Sequence, residues 1–248
     1  MENNNKSDTI IPYENLSRTN KQFEQEFKSA FDKFIEKGWY VLGQEVKSFE
    51  EEFASYVGTK HCVGVASGLD ALIIALECLK LPKGSDVLVP SNTYIASILS
   101  IVKAGLNPIL VEPDISTYNI NPDLLEESLT PNTRAVLVVH LYGKACEMDK
   151  ITEFCKKHNL RLVEDCAQSH GARFNGKMTG SFGDFGAFSF YPTKNLGALG
   201  DAAHFAQITM SLQIWHEPGV TMAQKSIITT NTQESTHALT RFRLPFCV

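Results

Sequence analysis

Lys194 is the lone charge in the glycine-ended run Phe188-Ser189-Phe190-Tyr191-Pro192-Thr193-Lys194-Asn195-Leu196-Gly197. One reading is an ordinary surface lysine. The other is an amine whose proton affinity falls on desolvation, so that it can act as a nucleophile or carry a proton. Glu164-Asp165 closes the apolar stretch Leu160-Arg161-Leu162-Val163, where an ionised carboxylate is costly without a cationic partner. Asp165 could cap the following loop or pair with a protonated ring nitrogen. Ser67-Gly68-Leu69-Asp70 stands where a strand gives way to a helix. It serves either as a plain cap and turn or as a phosphate cradle of backbone N–H groups. Tyr94 could stack on a planar ring or pack against a sheet, and Ser189 could hold a phosphate oxygen. Gln168 and His170 are either loop residues or orienting groups. Amine, carboxylate, aromatic ring and phosphate turn together are the set that a pyridoxal phosphate (PLP) site requires, because aldehyde, ring nitrogen and phosphate must each be held.

The elements that must position these residues follow from hydrophobic periodicity. Phe23, Phe27, Phe31, Phe34 and Ile35 recur at helical spacing until Gly38, and Val46, Phe49, Phe53 and Tyr56 form a second amphipathic stretch. From there short apolar runs expected as strands, Cys62–Ala66, Asp86–Val89, Pro108–Val111, Ala135–His140 and Arg161–Glu164, alternate with helices expected at Ala71–Leu79, Ala96–Ala104, Pro122–Leu129 and Met148–His158. Such alternation predicts an α/β fold with a mostly parallel central sheet covered on both faces. Ligands in such sheets sit beyond the carboxyl ends of the strands. Ser67-Gly68, Asn92 to Tyr94, His140, Asp165 to Gln168 and Ser189 to Lys194 all fall there.

With 43% hydrophobic and 21% charged residues in 248, the composition is that of a globular chain. The net charge of −5 and the absence of a long Lys/Arg cluster give no electrostatic reason to expect nucleic acid or an anionic membrane as partner. Met1 to Asp8 has neither a signal-peptide core nor a transit-peptide pattern, and a cytoplasmic protein is expected. Cys62, Cys78, Cys146, Cys155, Cys166 and Cys247 are scattered without a C-x-x-C pair, so free thiols are expected and no metal site. A nucleotide-binding module of doubly wound type is disfavoured, since no G-x-G-x-x-G follows the first strand.

The ordered motifs Gly38-Trp39-Tyr40-Val41-Leu42-Gly43, Ser67-Gly68-Leu69-Asp70-Ala71-Leu72, Pro90-Ser91-Asn92-Thr93-Tyr94, Glu164-Asp165-Cys166-Ala167-Gln168-Ser169-His170-Gly171 and Ser189 to Asp201 resemble the DegT/DnrJ/EryC1/StrS family of sugar-nucleotide aminotransferases. The resemblance runs from about Ile11 to Asp201. It implies the large domain of the fold-type I aspartate aminotransferase architecture. Lys194 would hold PLP as a Schiff base and move a proton between cofactor and substrate carbons. Asp165 would keep the ring nitrogen protonated, Gln168 would contact the ring hydroxyl, and Tyr94 would stack on the ring. Ser67, Gly68 and Ser189 would hold the phosphate, and Leu69 would also bind the cofactor. Family members with His in place of the lysine dehydrate, so Lys194 favours transamination. Val111 to Asp114, Thr117 to Pro122 and His140 to Gly143 are most similar to enzymes that aminate C3 of a dTDP-3-oxo-6-deoxyhexose, with glutamate as usual donor and a homodimer as usual assembly. Such an enzyme would serve a surface polysaccharide, an O-antigen or S-layer glycan, or another glycosylated product. Amination at C4 is the alternative.

After Asp201-Ala202 the resemblance ends. Ala203 to Val248 shows neither alternation nor a sustained helical period. Codons for Ala202 to Leu212 read two bases out of frame permit Gly-Ala-Leu-Cys-Thr-Asn-Asn-Asp-Glu-Leu, and those for Met222 to Ile227 permit Gly-Ser-Glu-Lys-Tyr, both family-like. One deleted base would produce this tail; a divergent C-terminal segment is the other reading. The expected organisation is a disordered start at 1–10, a PLP-binding domain at 11–201 and an aberrant, poorly ordered tail at 202–248, the small C-terminal domain being missing. The chain is then expected to transaminate weakly or not at all, or to be a non-catalytic remnant that still binds PLP.

Overall fold

The computed structural model describes residues 12–200, the backbone of 203–207 with the Ala203 side chain, and the short stretches 228–229 and 246–247. The expected start at 1–10 and most of the expected tail lie outside the described residues.

Helix α1 (Leu16–Asn20) leads through a single 3-10 turn into α2 (Glu24–Lys37), which Gly38 ends in the left-handed conformation at φ +64°. Helix α3 (Gln44–Val57) follows, its buried stripe of Val46, Phe49, Phe53 and Val57 repeating at helical spacing. The alternation then begins: β1 (His61–Val65), α4 (Gly68–Cys78), β2 (Asp86–Pro90), α5 (Ile95–Lys103), β3 (Asn107–Val111) and β4 (Thr133–Val139). It continues with α6 (Met148–Lys157), β5 (Arg161–Asp165), a small hairpin of β6 (Arg173–Phe174) and β7 (Lys177–Met178), then β8 (Phe185–Ser189) and β9 (Ala203–Gln207).

Among the described residues seven strands form one sheet in the order β1-β9-β8-β5-β4-β2-β3. The run from β3 through β2, β4 and β5 to β8 is parallel, while β9 is antiparallel to both its neighbours. Because side chains alternate across a strand, each central strand feeds two cores. Val87, Val89, Ala135, Leu137 and Val163 pack with Leu72 and Leu76 of α4 and Ile101 of α5. Leu88, Val136, Val138 and Leu162 pack on the other face with Met148, Ile151 and Phe154 of α6. A third cluster joins Phe49 and Phe53 of α3 to Phe188 and Phe190.

Two departures from the sequence reading stand out. The helix expected over Pro122–Leu129 is reduced to a 3-10 turn at Pro122–Leu124 followed by turns. There the Ser128 hydroxyl donates to the Leu124 carbonyl, a local bond that competes with helix continuation. The alternation expected to end at Ala202 runs on for one strand: β9 slots between β1 and β8, with Ala203 opposite both Val65 and Ser189. Backbone pairing on both sides, which needs no apolar pattern, accounts for it. No helix of the described residues is long and apolar enough to cross a membrane.

Candidate functional site

The carboxyl ends of β1, β2, β4, β5 and β8 surround a cavity of about 520 Å³, within the usual range for small-molecule sites. All eight residues expected at the site, Ser67, Gly68, Leu69, Tyr94, Asp165, Gln168, Ser189 and Lys194, line it.

Ser67 caps α4: its Oγ accepts from the Asp70 N–H at 3.2 Å and donates to Asp70 Oδ2 at 2.7 Å. The start of α4 therefore faces the cavity as a cradle of backbone donors. Gly68 permits this approach, since a Cβ there would sit 2.9 Å from the Ser189 Cβ. Ser189, buried at the end of β8, accepts from the Tyr191 N–H at 3.4 Å, which leaves its hydroxyl proton to donate. Helix cradle and Ser189 form one concave donor surface fit for a phosphate.

Asp165 is only 6% exposed. Its Oδ1 accepts from the Ala167 N–H at 3.0 Å and its Oδ2 from the Ser97 hydroxyl at 2.8 Å. Burial raises the pKa of its carboxyl, against the opposing pull of these two donors and of the Lys194 and His140 charges. Such a carboxylate gains from a cationic N–H in the cavity. Gln168 uses Oε1 to accept from the Tyr142 N–H at 2.7 Å, so its amide N–H groups are the end left to meet a ring hydroxyl. Tyr94, at the N-cap of α5, is 72% exposed; it is not packed into the sheet, and its ring is free to lie along the cavity wall. Lys194 is half-buried on the loop after β8.

Two neighbours have other tasks. His140 does not line the cavity: it is buried, its Nδ1 accepts from the Cys146 N–H at 3.1 Å and its Nε2 meets Glu164 Oε2 at 3.0 Å. His140, Glu164 and Cys166 bring potential metal-ligand atoms within 4.8 Å of one another. Both Glu164 oxygens and both His140 nitrogens are already engaged in hydrogen bonds, so this cluster reads as a packing network. His170 lies against the Phe188 and Phe190 rings with both nitrogens buried and unpartnered. Burial first, then the Lys194 charge, pulls its pKa down to about 4; the Ser189 backbone opposes the shift from outside hydrogen-bonding geometry. Five cysteines, Cys62, Cys78, Cys146, Cys155 and Cys166, are buried free thiols; the side chain of Cys247 lies outside the described residues.

Thr93 lies in the strand-end run that the sequence points to, whereas Ser97 is not singled out by sequence reasoning. Ser97, Ser100 and Ile101 form the buried stripe of α5. A serine on that stripe was the available signal.

The site can therefore hold a planar, phosphate-bearing ring with a basic nitrogen: donors, a buried carboxylate, an aromatic ring and an amine all line the same cavity.

The model of the DegT/DnrJ/EryC1/StrS aminotransferase family matches residues 21–206. The dTDP-3-amino-3,6-dideoxy-alpha-D-galactopyranose transaminase of Aneurinibacillus thermoaerophilus is 54% identical over 181 residues, 73% of this chain and 50% of the relative. The dTDP-3-amino-3,4,6-trideoxy-alpha-D-glucose transaminase of Streptomyces venezuelae is 45% identical over 191 residues, 77% of this chain and 50% of the relative. The chain thus spans about half the length of these curated relatives. Among solved structures, S. venezuelae DesV with a ketimine intermediate superposes with a TM-score of 0.79 at 43% identity, covering 83% of this chain and 55% of that one. NtdA from Bacillus subtilis with bound cofactor PMP gives 0.76 at 30% identity, covering 83% and 47%. With three quarters of its length matched by the family model, the chain belongs to the DegT/DnrJ/EryC1/StrS aminotransferase family.

Proposed function

We propose that this chain is the cofactor-binding half of a cytoplasmic PLP-dependent aminotransferase that moves an amino group from glutamate to C3 of a dTDP-3-oxo-6-deoxyhexose, working as a homodimer. PLP is the cofactor of this family. The observation that carries the reading is the convergence of Lys194, Asp165, Ser189 and the Ser67-Gly68 cradle in one cavity. The C3 preference is supported by the two relatives named above, whose products carry a 3-amino group.

Bound in this cavity, the cofactor supplies a carbonyl that carries the amino group and a conjugated ring that withdraws electrons. The chain does the rest. The start of α4 and Ser189 grip the phosphate, and the Asp165 carboxylate holds a proton on the ring nitrogen. Tyr94 covers one face of the ring, and Gln168 donates to its hydroxyl. Lys194 carries the proton at Nζ between the reacting carbons. Net, the amino acid leaves as its 2-oxo acid and the keto sugar as the amino sugar. Turnover by these 248 residues alone is weak, because Tyr94, Ile95, Leu99 and Tyr191, which line the cavity, are exposed to water and leave the reacting atoms unsealed.

Borohydride reduction of the purified chain with PLP, followed by peptide mapping, should label Lys194, and Lys194→Ala should abolish the label; label on another lysine, or none, would sink the reading. Offering dTDP-3-oxo- and dTDP-4-oxo-6-deoxyhexose with glutamate and weighing the products tests the rest. Amination of the 4-oxo sugar alone overturns C3, and rapid turnover overturns the weak-activity reading.

A further inference from the structure

Beneath the cavity wall, α5 sends one hydroxyl to the carboxylate on which the proposed function turns. Ser97 is fully buried, and its Oγ lies 2.8 Å from Asp165 Oδ2 and 2.8 Å from Thr93 Oγ1. The direction of both bonds follows from the donor count. An ionised carboxylate only accepts, so the single Ser97 proton goes to Asp165. Ser97 must then accept from Thr93, a residue of the cavity lining. The other carboxylate oxygen, Oδ1, is held by the Ala167 N–H at 3.0 Å. Two donors from different elements, one on each oxygen, fix the rotation of the carboxylate plane.

We infer that Ser97, aligned by Thr93, is a positioning residue for Asp165: its donated hydroxyl sets the plane of the carboxylate and keeps it an acceptor toward the cavity, so that the proton stays on the cofactor's ring nitrogen. The inference rests on the reading of Asp165 as the ring-nitrogen partner. Lys194 on the loop after β8, His140 after β4 and the Cys166 thiol also interact with this carboxylate through space. Burial disfavours its charged form, and the Lys194 and His140 charges favour it. The Ala167 N–H and then the Ser97 hydroxyl oppose that burial without cancelling it. Removal of the Ser97 hydroxyl makes the carboxylate a stronger base, and a stronger base draws the shared proton away from the ring nitrogen.

The test needs Ser97→Ala, Ser97→Thr and Asp165→Asn in the full chain. The carbonyl-carbon NMR signal of Asp165, identified as the one lost in Asp165→Asn, is titrated without cofactor. Ser97→Ala should raise the proton affinity of Asp165 about tenfold, since a hydrogen bond to a charged group has that scale. Ser97→Thr, which keeps the hydroxyl, should restore the titration. With ring-nitrogen-labelled PLP bound, the nitrogen shift in Ser97→Ala should move toward that of an unprotonated pyridine. An unchanged titration in Ser97→Ala overturns the inference. So does an equal disturbance in Ser97→Thr, which would mark a packing effect. If Asp165→Asn leaves the ring-nitrogen shift unmoved, the assignment of Asp165 fails instead, while the cofactor-free titration still decides whether Ser97 controls the carboxylate.

Discussion

Glu164 and Asp165 are consecutive buried carboxylates on one strand, and pleating sends them to opposite faces. Glu164 is fully enclosed and accepts from the Phe182, Gly183 and Gly180 N–H groups at 2.6, 2.8 and 2.8 Å, besides meeting His140. Its acceptor capacity is consumed by the protein. Asp165 receives two donors and opens on a cavity. Equal burial thus serves two ends: one carboxylate ties a loop to the sheet, while the other keeps lone pairs for a ligand. What distinguishes them is where the unspent lone pairs point.

The strongest way to break this contrast is to remove each carboxylate in turn. Glu164→Ala strands three backbone donors and His140, and should cost about 3–5 kcal/mol of stability in urea unfolding. Asp165→Asn should behave oppositely. The Asp165 pKa is raised on folding, so its favourable contribution is complete below the unfolded-state value and is lost as pH rises through the folded one. At neutral pH only the burial penalty remains, and Asp165→Asn should be at least as stable as the wild type while binding PLP about tenfold or more weakly. Equal stability losses in the two variants would erase the distinction.

A smaller effect sharpens it from the phosphate side. Gly68→Ala drives a Cβ to 2.9 Å from the Ser189 Cβ and should cost about 1–3 kcal/mol, with PLP retention falling as α4 is pushed off Ser189. Equilibrium dialysis reads the second quantity; unchanged retention would show that the close approach does not shape the cradle.

His170, a partly exposed ring whose two nitrogens are buried, should give the smallest effect. Its pKa falls from 6.5 to about 4 on folding, so the unfolded chain takes up a proton first. Stability is then complete above the ordinary value and drains away as pH drops toward the folded one. Allowing for its partial exposure, the loss should be about 1 kcal/mol, and His170→Gln should flatten it in unfolding curves between pH 6.5 and pH 4. A slope that survives the substitution would move its origin elsewhere.

Much of this arrangement was legible in the chain itself. Apolar runs separated by helical periods give the sheet, and strand ends give the positions of Ser67, Asp165, Ser189 and Lys194. The division of labour between Glu164 and Asp165 was not legible, because it depends on which face looks at the Gly180–Gly183 loop, a contact set by folding. Ser97 was hidden as a neutral residue within a helix. The strand β9 was hidden because paired backbone, not an apolar pattern, forms it. His140, at a strand end like the others, turned out to face the packing side, where one residue of register decides.

That last strand also sets a schedule. His61 pairs with Gln207 and Val65 with Ala203, so β1, the first of the described strands in this sheet, waits for β9, the last of them, before it gains its neighbour. Closing so long a loop is the slow kind of contact. During synthesis, β2 to β5 can assemble while β1 is still unpaired. Pulse-labelled hydrogen exchange should find their amides protected before those of β1 and β9. Ser67 and Ser189 then meet across the newly seated strand only at the end, and cofactor capture follows folding instead of guiding it.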